Sequence, residues 1–158
     1  MFTVAILVSS DRAYSGVYPD KSGAYLKEKM TAEGYDVVDL TVLPDDFTLL
    51  KEKIQSYVDA GIQLVLTSGG TGFSERDVVP EATLSVVDRL TPGISEAIRQ
   101  KSLEITPRAM LSRAVSGIKD KTLVINLPGS RKAVEESIEV VLPALSHGLG
   151  ILTGASDN

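Results

Sequence analysis

The sequence predicts an α/β protein, a single-domain three-layer sandwich around a mostly parallel central sheet. Three observations carry this. Apolar strand-like runs alternate with amphipathic helical stretches along the chain, the pattern of a doubly wound sheet. The first run, Thr3 to Val8, is continuously apolar and rich in β-branched residues, as a strand covered on both faces is. The chain has 158 residues, 43% of them hydrophobic, enough for one well-buried core and too few for two ordinary domains.

Each element has its own warrant. After the first strand, the polar stretch Ser9 to Lys21, with Gly16 and Pro19, reads as a long loop. Asp20 or Ser22 caps a helix that places Leu26 and Met30 on one face and stops near Gly34. Asp36 to Leu43 is a second strand, closed by Pro44. From Asp46 to Ala60, Phe47, Leu50, Ile54, Tyr57 and Val58 recur at helical spacing, and Gly61 ends the helix. Ile62 to Leu66 is a third strand that runs into a glycine-rich loop. Pro80 to Arg89 and Ile94 to Leu103 read as short helices, and Ser112 to Ile118 and Thr122 to Asn126 as strands. Leu127 to Ser130 is a turn, and Lys132 to Leu145 a last helix that Pro143 is expected to kink or break. Residues 1–153 form the expected domain, with 154–158 a flexible tail.

Composition excludes several function classes. With no cysteine, a disulfide scaffold, a thiolate nucleophile and Cys-based metal sites are all ruled out. A single histidine, His147, rules out a multi-His metal site, and its place late on an amphipathic helix reads as structural. The net charge of -5 with no basic cluster argues against nucleic acid. The apolar N-terminal run is too short to span a membrane and lacks a basic flank, so the expectation is no membrane contact and a cytoplasmic location.

Chemistry concentrates at strand ends. Thr67-Ser68-Gly69-Gly70-Thr71-Gly72 follows a buried strand, and three glycines in four residues let backbone N–H groups approach an anion. The same residues also serve a plain tight turn. The loop lacks the G-x-G-x-x-G order of dinucleotide sites, and Phe73 stands where a Walker loop needs lysine. Asp45 follows the second strand and Asp77 the glycine loop, each a candidate for Mg²⁺, for a polar ligand group, or for turn formation. Ser9, Ser10 and Asp11 end the first strand, and Asn126, Pro128, Gly129 and Ser130 fall at or after the end of the last. In a parallel sheet these loops converge on one edge, where such folds bind ligands. Arg108, Arg113, Arg131 and Lys132 are phosphate-neutralising candidates or solvated surface charge.

Ser9-Ser10-Asp11-Arg12-Ala13-Tyr14-Ser15-Gly16 with Asp20-Lys21 resembles the N-terminal signature of MogA-type proteins of molybdenum cofactor biosynthesis. Thr67 to Gly72 through Arg76-Asp77-Val78-Val79-Pro80-Glu81-Ala82-Thr83 resembles their central motif. Leu111-Ser112-Arg113-Ala114 and Asn126-Leu127-Pro128-Gly129 match two more, in the family's order. The family often has Thr in place of Ser68 and of Val79. The resemblance implies a molybdopterin-binding fold and a molybdopterin adenylyltransferase, a nucleotidyltransferase that moves AMP from ATP to the phosphate of molybdopterin with Mg²⁺ and releases pyrophosphate. It implies Asp45 and Asp77 as catalytic and metal-binding aspartates. It implies Ser9, Ser10, Asp11, Ser68, Gly69, Gly70, Thr71, Gly72, Ser112, Asn126, Pro128, Gly129 and Ser130 as substrate-binding residues. It further implies a homotrimer and a downstream molybdenum-insertion protein as partner. The alternative is a non-catalytic or MoaB-like molybdopterin-binding protein of the same fold, the MoaB branch tending to form hexamers; the long N-terminal signature favours the adenylyltransferase.

Overall fold

The computed structural model describes residues 1–155. Six strands form one sheet in the order β2-β1-β3-β6-β5-β4. The strands are β1 (Thr3–Ser9), β2 (Asp36–Leu43), β3 (Leu64–Ser68), β4 (Arg89–Leu90), β5 (Ser116–Lys119) and β6 (Thr122–Leu127). The first four in that order run parallel; β5 is antiparallel to β6, and β4 to β5. The helices are α1 (Asp11–Tyr14), α2 (Lys21–Ala32), α3 (Phe47–Asp59), α4 (Val79–Leu84), α5 (Pro92–Leu103) and α6 (Arg131–Thr153).

Three layers follow from the pleat. On β1, Val4, Ile6 and Val8 point to one face and Ala5 and Leu7 to the other. The first set packs with Leu26 and Met30 of α2, Ile98 of α5, and Val134, Ile138 and Leu149 of α6. The second packs with Leu50, Ile54 and Tyr57 of α3 and Val79 and Ala82 of α4. Central strands buried on both sides need apolar residues at every position, which is why β1 reads as a continuous run. On α3, the expected face holds except at Phe47, which is 39% exposed at the first turn.

Several boundaries differ from expectation, each for a physical reason. The Ser9–Lys21 segment contains α1, a single turn capped by Ser10 Oγ, which accepts the Ala13 N–H at 3.1 Å. Four residues are too few to show periodicity. β3 begins two residues late and extends through Thr67 and Ser68, which pair with Asn126 and Leu127. Ser112 to Val115 is not strand: the Arg113 N–H is drawn away to the Thr71 carbonyl at 2.8 Å. α4 stops at Leu84, and Arg89 turns into β4 instead, laid against Gly117, where a Cβ would meet the Arg89 carbonyl oxygen at 2.8 Å.

α6 is neither broken nor ended at Pro143. The helix runs on to Thr153, where Gly154 at φ 76° caps it. Pro143 is exposed, so water can satisfy the carbonyl that loses its helical donor, while Leu145 and Leu149 keep the second half packed on the sheet. His147 sits on the exposed side of this helix. Beyond residue 155, the tail lies outside the described residues.

Candidate functional site

The parallel register levels four strand ends. Ser9 pairs with Leu43, Val8 with Ser68, and Ser68 with Leu127. β1 has β2 on one side and β3 on the other, so the chain reverses its direction of travel across the sheet at the β1–β3 gap. Such a switch point opens a crevice beyond the carboxyl ends of the strands.

The glycines floor that crevice because nothing larger fits. Gly69 and Gly70 have φ values of 93° and 68°. A Cβ on Gly69 would lie 2.5 Å from the Ser9 carbonyl oxygen, and one on Gly70 would lie 2.5 Å from Val79 Cγ2. A Cβ on Gly129 would meet the Gly69 Cα at 3.3 Å. Three loops are thus pressed backbone to backbone. The Gly69 N–H is used in this packing, donated to the Leu127 carbonyl at 3.1 Å. The next three N–H groups, of Gly70, Thr71 and Gly72, donate to no acceptor among the described residues. Consecutive unpaired amides around left-handed residues form an anion-binding concavity.

Two cavities flank this loop. The larger, about 810 Å³, is lined by Ser9, Ser10, Asp11, Asp45, Ser68, Gly69, Gly70, Asp77, Gly129 and Ser130. The smaller, about 290 Å³, is lined by Thr71, Gly72, Ser112, Asn126 and Pro128, with Arg99 and Arg108. The candidate residues, which the sequence suggests as one site, therefore divide between two neighbouring chambers with the glycine loop as their partition.

Hydrogen bonds show which side chains are committed. Asp45 Oδ1 accepts the Ser9 hydroxyl at 2.6 Å and Oδ2 accepts the Asp11 N–H at 3.1 Å. Asp11 Oδ1 accepts the Asp45 N–H in return at 2.8 Å. Arg76 forks onto Asp11, Nε to Oδ2 at 3.0 Å and Nη2 to Oδ1 at 2.9 Å. The Arg76 guanidinium, and then the Asp45 N–H, hold the Asp11 carboxyl below the usual carboxylate range. Asp77 Oδ2 accepts the Ser74 N–H at 3.0 Å and so closes its own loop. Ser68 Oγ is buried, donates to the Pro128 carbonyl at 2.8 Å, and lies 3.1 Å from Ser22 Oγ. Asn126 is fully buried: its Nδ2 donates to Thr67 and Thr83, and its Oδ1 accepts the Val115 N–H.

Among the described residues, no group of three or more His, Cys, Asp or Glu side chains gathers closely enough to hold a metal ion. Asp45 and Asp77 both line the larger cavity. A pair of carboxylates suits Mg²⁺ that brings its own phosphate oxygens and waters, and does not suit an all-protein cage.

Of the four basic candidates, Arg131 lines the larger cavity and Arg108 the smaller. Lys132 lines neither. Arg113 is occupied by the protein itself, donating to the Gly72 and Asp77 carbonyls, each at 2.7 Å, and to Glu81 at 2.6 Å. The larger cavity also gains Arg12, Tyr18, Lys21 and Ser22, which the sequence places only in a loop or at a helix start. Arg12 and Lys21 stand within the N-terminal signature, which could have marked them; Tyr18 and Ser22 carried no ligand signal.

Comparison with known proteins agrees with this architecture. A family described as a probable molybdopterin binding domain matches residues 5–147. The molybdopterin adenylyltransferase of Escherichia coli K12 is 42% identical over 153 residues, covering 92% of this chain and 78% of that protein. That of Helicobacter pylori J99 is 36% identical, covering 96% of this chain and 88% of that one. Dictyostelium discoideum gephyrin is 42% identical over 94% of this chain, but the chain spans only 22% of gephyrin's length. Among solved structures, MoaB of Thermus thermophilus superposes with a TM-score of 0.92 at 41% identity, covering 98% of each chain. The Mog protein of Mycobacterium ulcerans gives 0.92 at 36% identity, covering 96% of this chain and 99% of that one.

Proposed function

The chain belongs to the family of probable molybdopterin-binding domains, and on that premise we propose that it is a molybdopterin adenylyltransferase of molybdenum cofactor biosynthesis. The observation that carries this reading is the partition: three unpaired amides stand where two cavities meet. A transferase that joins two phosphorylated molecules needs such a meeting point.

The larger cavity suits ATP and the smaller one the pterin. Arg12, Lys21 and Arg131 in the larger cavity offset triphosphate charge. The Gly70, Thr71 and Gly72 amides hold the pterin's phosphate at the shared wall. An oxygen of that phosphate attacks the α-phosphorus of ATP, a new phosphoanhydride bond forms, and the bond to the β-phosphate breaks to release pyrophosphate. The attacking oxygen is already ionised at neutral pH, so no strong base is required. Positioning and charge stabilisation supply the rate.

Asp45 and Asp77 would hold a Mg²⁺ ion arriving with ATP, which would supply charge compensation for the phosphates. Both Asp45 oxygens already accept hydrogen bonds, so Asp77, with Oδ1 uncommitted among the described residues, is the stronger of the two. Ser112, Asn126 and Pro128 line the pterin cavity, and Asn126 also holds β6 to Thr67 and Thr83. Homotrimeric assembly, a cytoplasmic location and hand-over to a molybdenum-insertion protein complete the proposal. Exposed Leu103, Ile105 and Met110, close in sequence, offer apolar surface for assembly.

Molybdopterin-dependent pyrophosphate release from ATP is the test. The enzyme should turn over only with both substrates. Asp77→Asn should lower AMP transfer about 100-fold, the scale for losing one transition-state charge contact, and added Mg²⁺ should recover part of it. Unchanged activity at every Mg²⁺ concentration would remove Asp77 from catalysis. Pterin binding without turnover would favour the alternative, a non-catalytic molybdopterin-binding protein on the same fold.

A further inference from the structure

The LSR segment places Arg113 where a phosphate-binding arginine is expected, yet its guanidinium lines neither cavity. It turns instead to the loop between them. Nε donates to the Gly72 carbonyl at 2.7 Å, and Nη2 donates to the Asp77 carbonyl at 2.7 Å. One planar group thus bridges the first and last residues of the 72–77 loop. Nη1 donates to Glu81 at 2.6 Å, which ties the bridge to the first turn of α4 and neutralises the charge. The Arg113 N–H fixes its own chain to Thr71 at 2.8 Å.

Within the loop, the Ser74 N–H donates to Asp77 Oδ2 and the Asp77 N–H to the Ser74 carbonyl, each at 3.0 Å, which shapes the turn but does not tie it to the rest of the protein. The loop spans no regular element, and its tip is held by the exposed Arg76–Asp11 pair, at 60% and 42% side-chain exposure. Exposed pairs hold weakly and are screened by salt. The Arg113 fork is less exposed, at 34%, and grips backbone rather than side chain. A lysine carries one compact ammonium and cannot reach both carbonyls in a fixed plane.

We propose that Arg113 is a positioning residue for AMP transfer, a clamp that closes the 72–77 loop and thereby aims Asp77 into the nucleotide cavity and the Gly72 amide at the partition. This rests on the adenylyltransferase reading for its kinetic consequence. The clamp itself has a readout that needs no turnover.

The experiment compares Arg113→Lys and Arg113→Ala with wild type in the full chain. Amide hydrogen exchange at Ser74 to Asp77 should accelerate at least 10-fold in both variants. In the AMP-transfer assay, kcat should fall at least 10-fold while KM for ATP stays within twofold, and millimolar guanidinium should restore several-fold activity to Arg113→Ala alone. Ile54→Val, a core change on α3 that lines neither cavity, controls for lost stability and should leave kcat unchanged. Unaltered exchange in both variants overturns the clamp. A raised KM with unchanged kcat makes Arg113 a direct phosphate contact and also overturns it. Equal kcat loss in Ile54→Val reduces the effect to stability and does the same. A wild-type protein without AMP transfer refutes the adenylyltransferase reading, and the exchange data then decide the clamp alone.

Discussion

Gly70 shows how much one residue can constrain. Its φ of 68° disfavours any L side chain, and a Cβ there would sit 2.5 Å from Val79 Cγ2 on α4. Two independent penalties therefore meet at one atom. Gly70→Ala should lose about 1–3 kcal/mol from backbone strain alone, read as a lower midpoint in urea unfolding, with AMP transfer falling more steeply than stability. A variant as stable as wild type would show that the loop relaxes freely. Legibility at this scale was uneven. The sequence names Gly69 and Gly70 plainly, because three glycines in four residues have few uses after a buried strand. It hides the difference between Asp11 and Asp77, since an aspartate committed to Arg76 and one with an uncommitted oxygen are spelled alike. The same holds for Arg113, whose partners are carbonyls and leave no trace in composition.

At the scale of elements, long periodic segments were readable and short irregular ones were not. α3 shows its buried face through Leu50, Ile54, Tyr57 and Val58, and its cap through Asp46, whose Oδ1 accepts the Leu49 N–H at 3.0 Å. β4 has two residues and exists only because Gly117 leaves room for it, a condition set by a segment distant in sequence. Pro143 marks a local defect that does not end the helix. It lacks the N–H that would bond the Glu139 carbonyl, but the tertiary packing of Leu145 and Leu149 outweighs that local defect. Pro143→Ala should restore the missing bond on an exposed face and raise stability by about 1–2 kcal/mol, measured by thermal or urea unfolding with wild-type activity retained. A destabilised variant would mean that the helix is bent at this point and packed to suit the bend.

For the whole molecule, charge placement sets the pH window of stability. Asp11 has its carboxyl pKa depressed by Arg76, so its contribution is complete above the unfolded value, about 4, and disappears as pH falls through the lower folded value. Tyr57 lies at the other limit. Burial, and then its hydrogen bond to Asp39, raise the phenol pKa. Its contribution is complete below the unfolded value, about 10, and is lost as pH rises from there. Both contributions are therefore complete between these limits, and each is lost beyond its own. Asp11→Asn should make the acid limb slightly shallower, and Tyr57→Phe should make the alkaline limb shallower. Limbs unchanged in the variants would assign the pH dependence to other groups.

The backbone-to-backbone contact of Gly69 with Ser9 and Gly129 has a consequence for redesign. A surface made of main chain carries no side chain to exchange, so substitution there strains the loops instead of offering the ligand a new contact. Under the proposed assignment of the larger cavity to the nucleotide, variation in ligand choice falls to the side chains of Arg12, Tyr18, Lys21 and Arg131, which line that cavity. A library confined to those four positions should yield folded proteins with altered ligand preference, while one aimed at residues 69–72 should yield mostly destabilised and inactive ones.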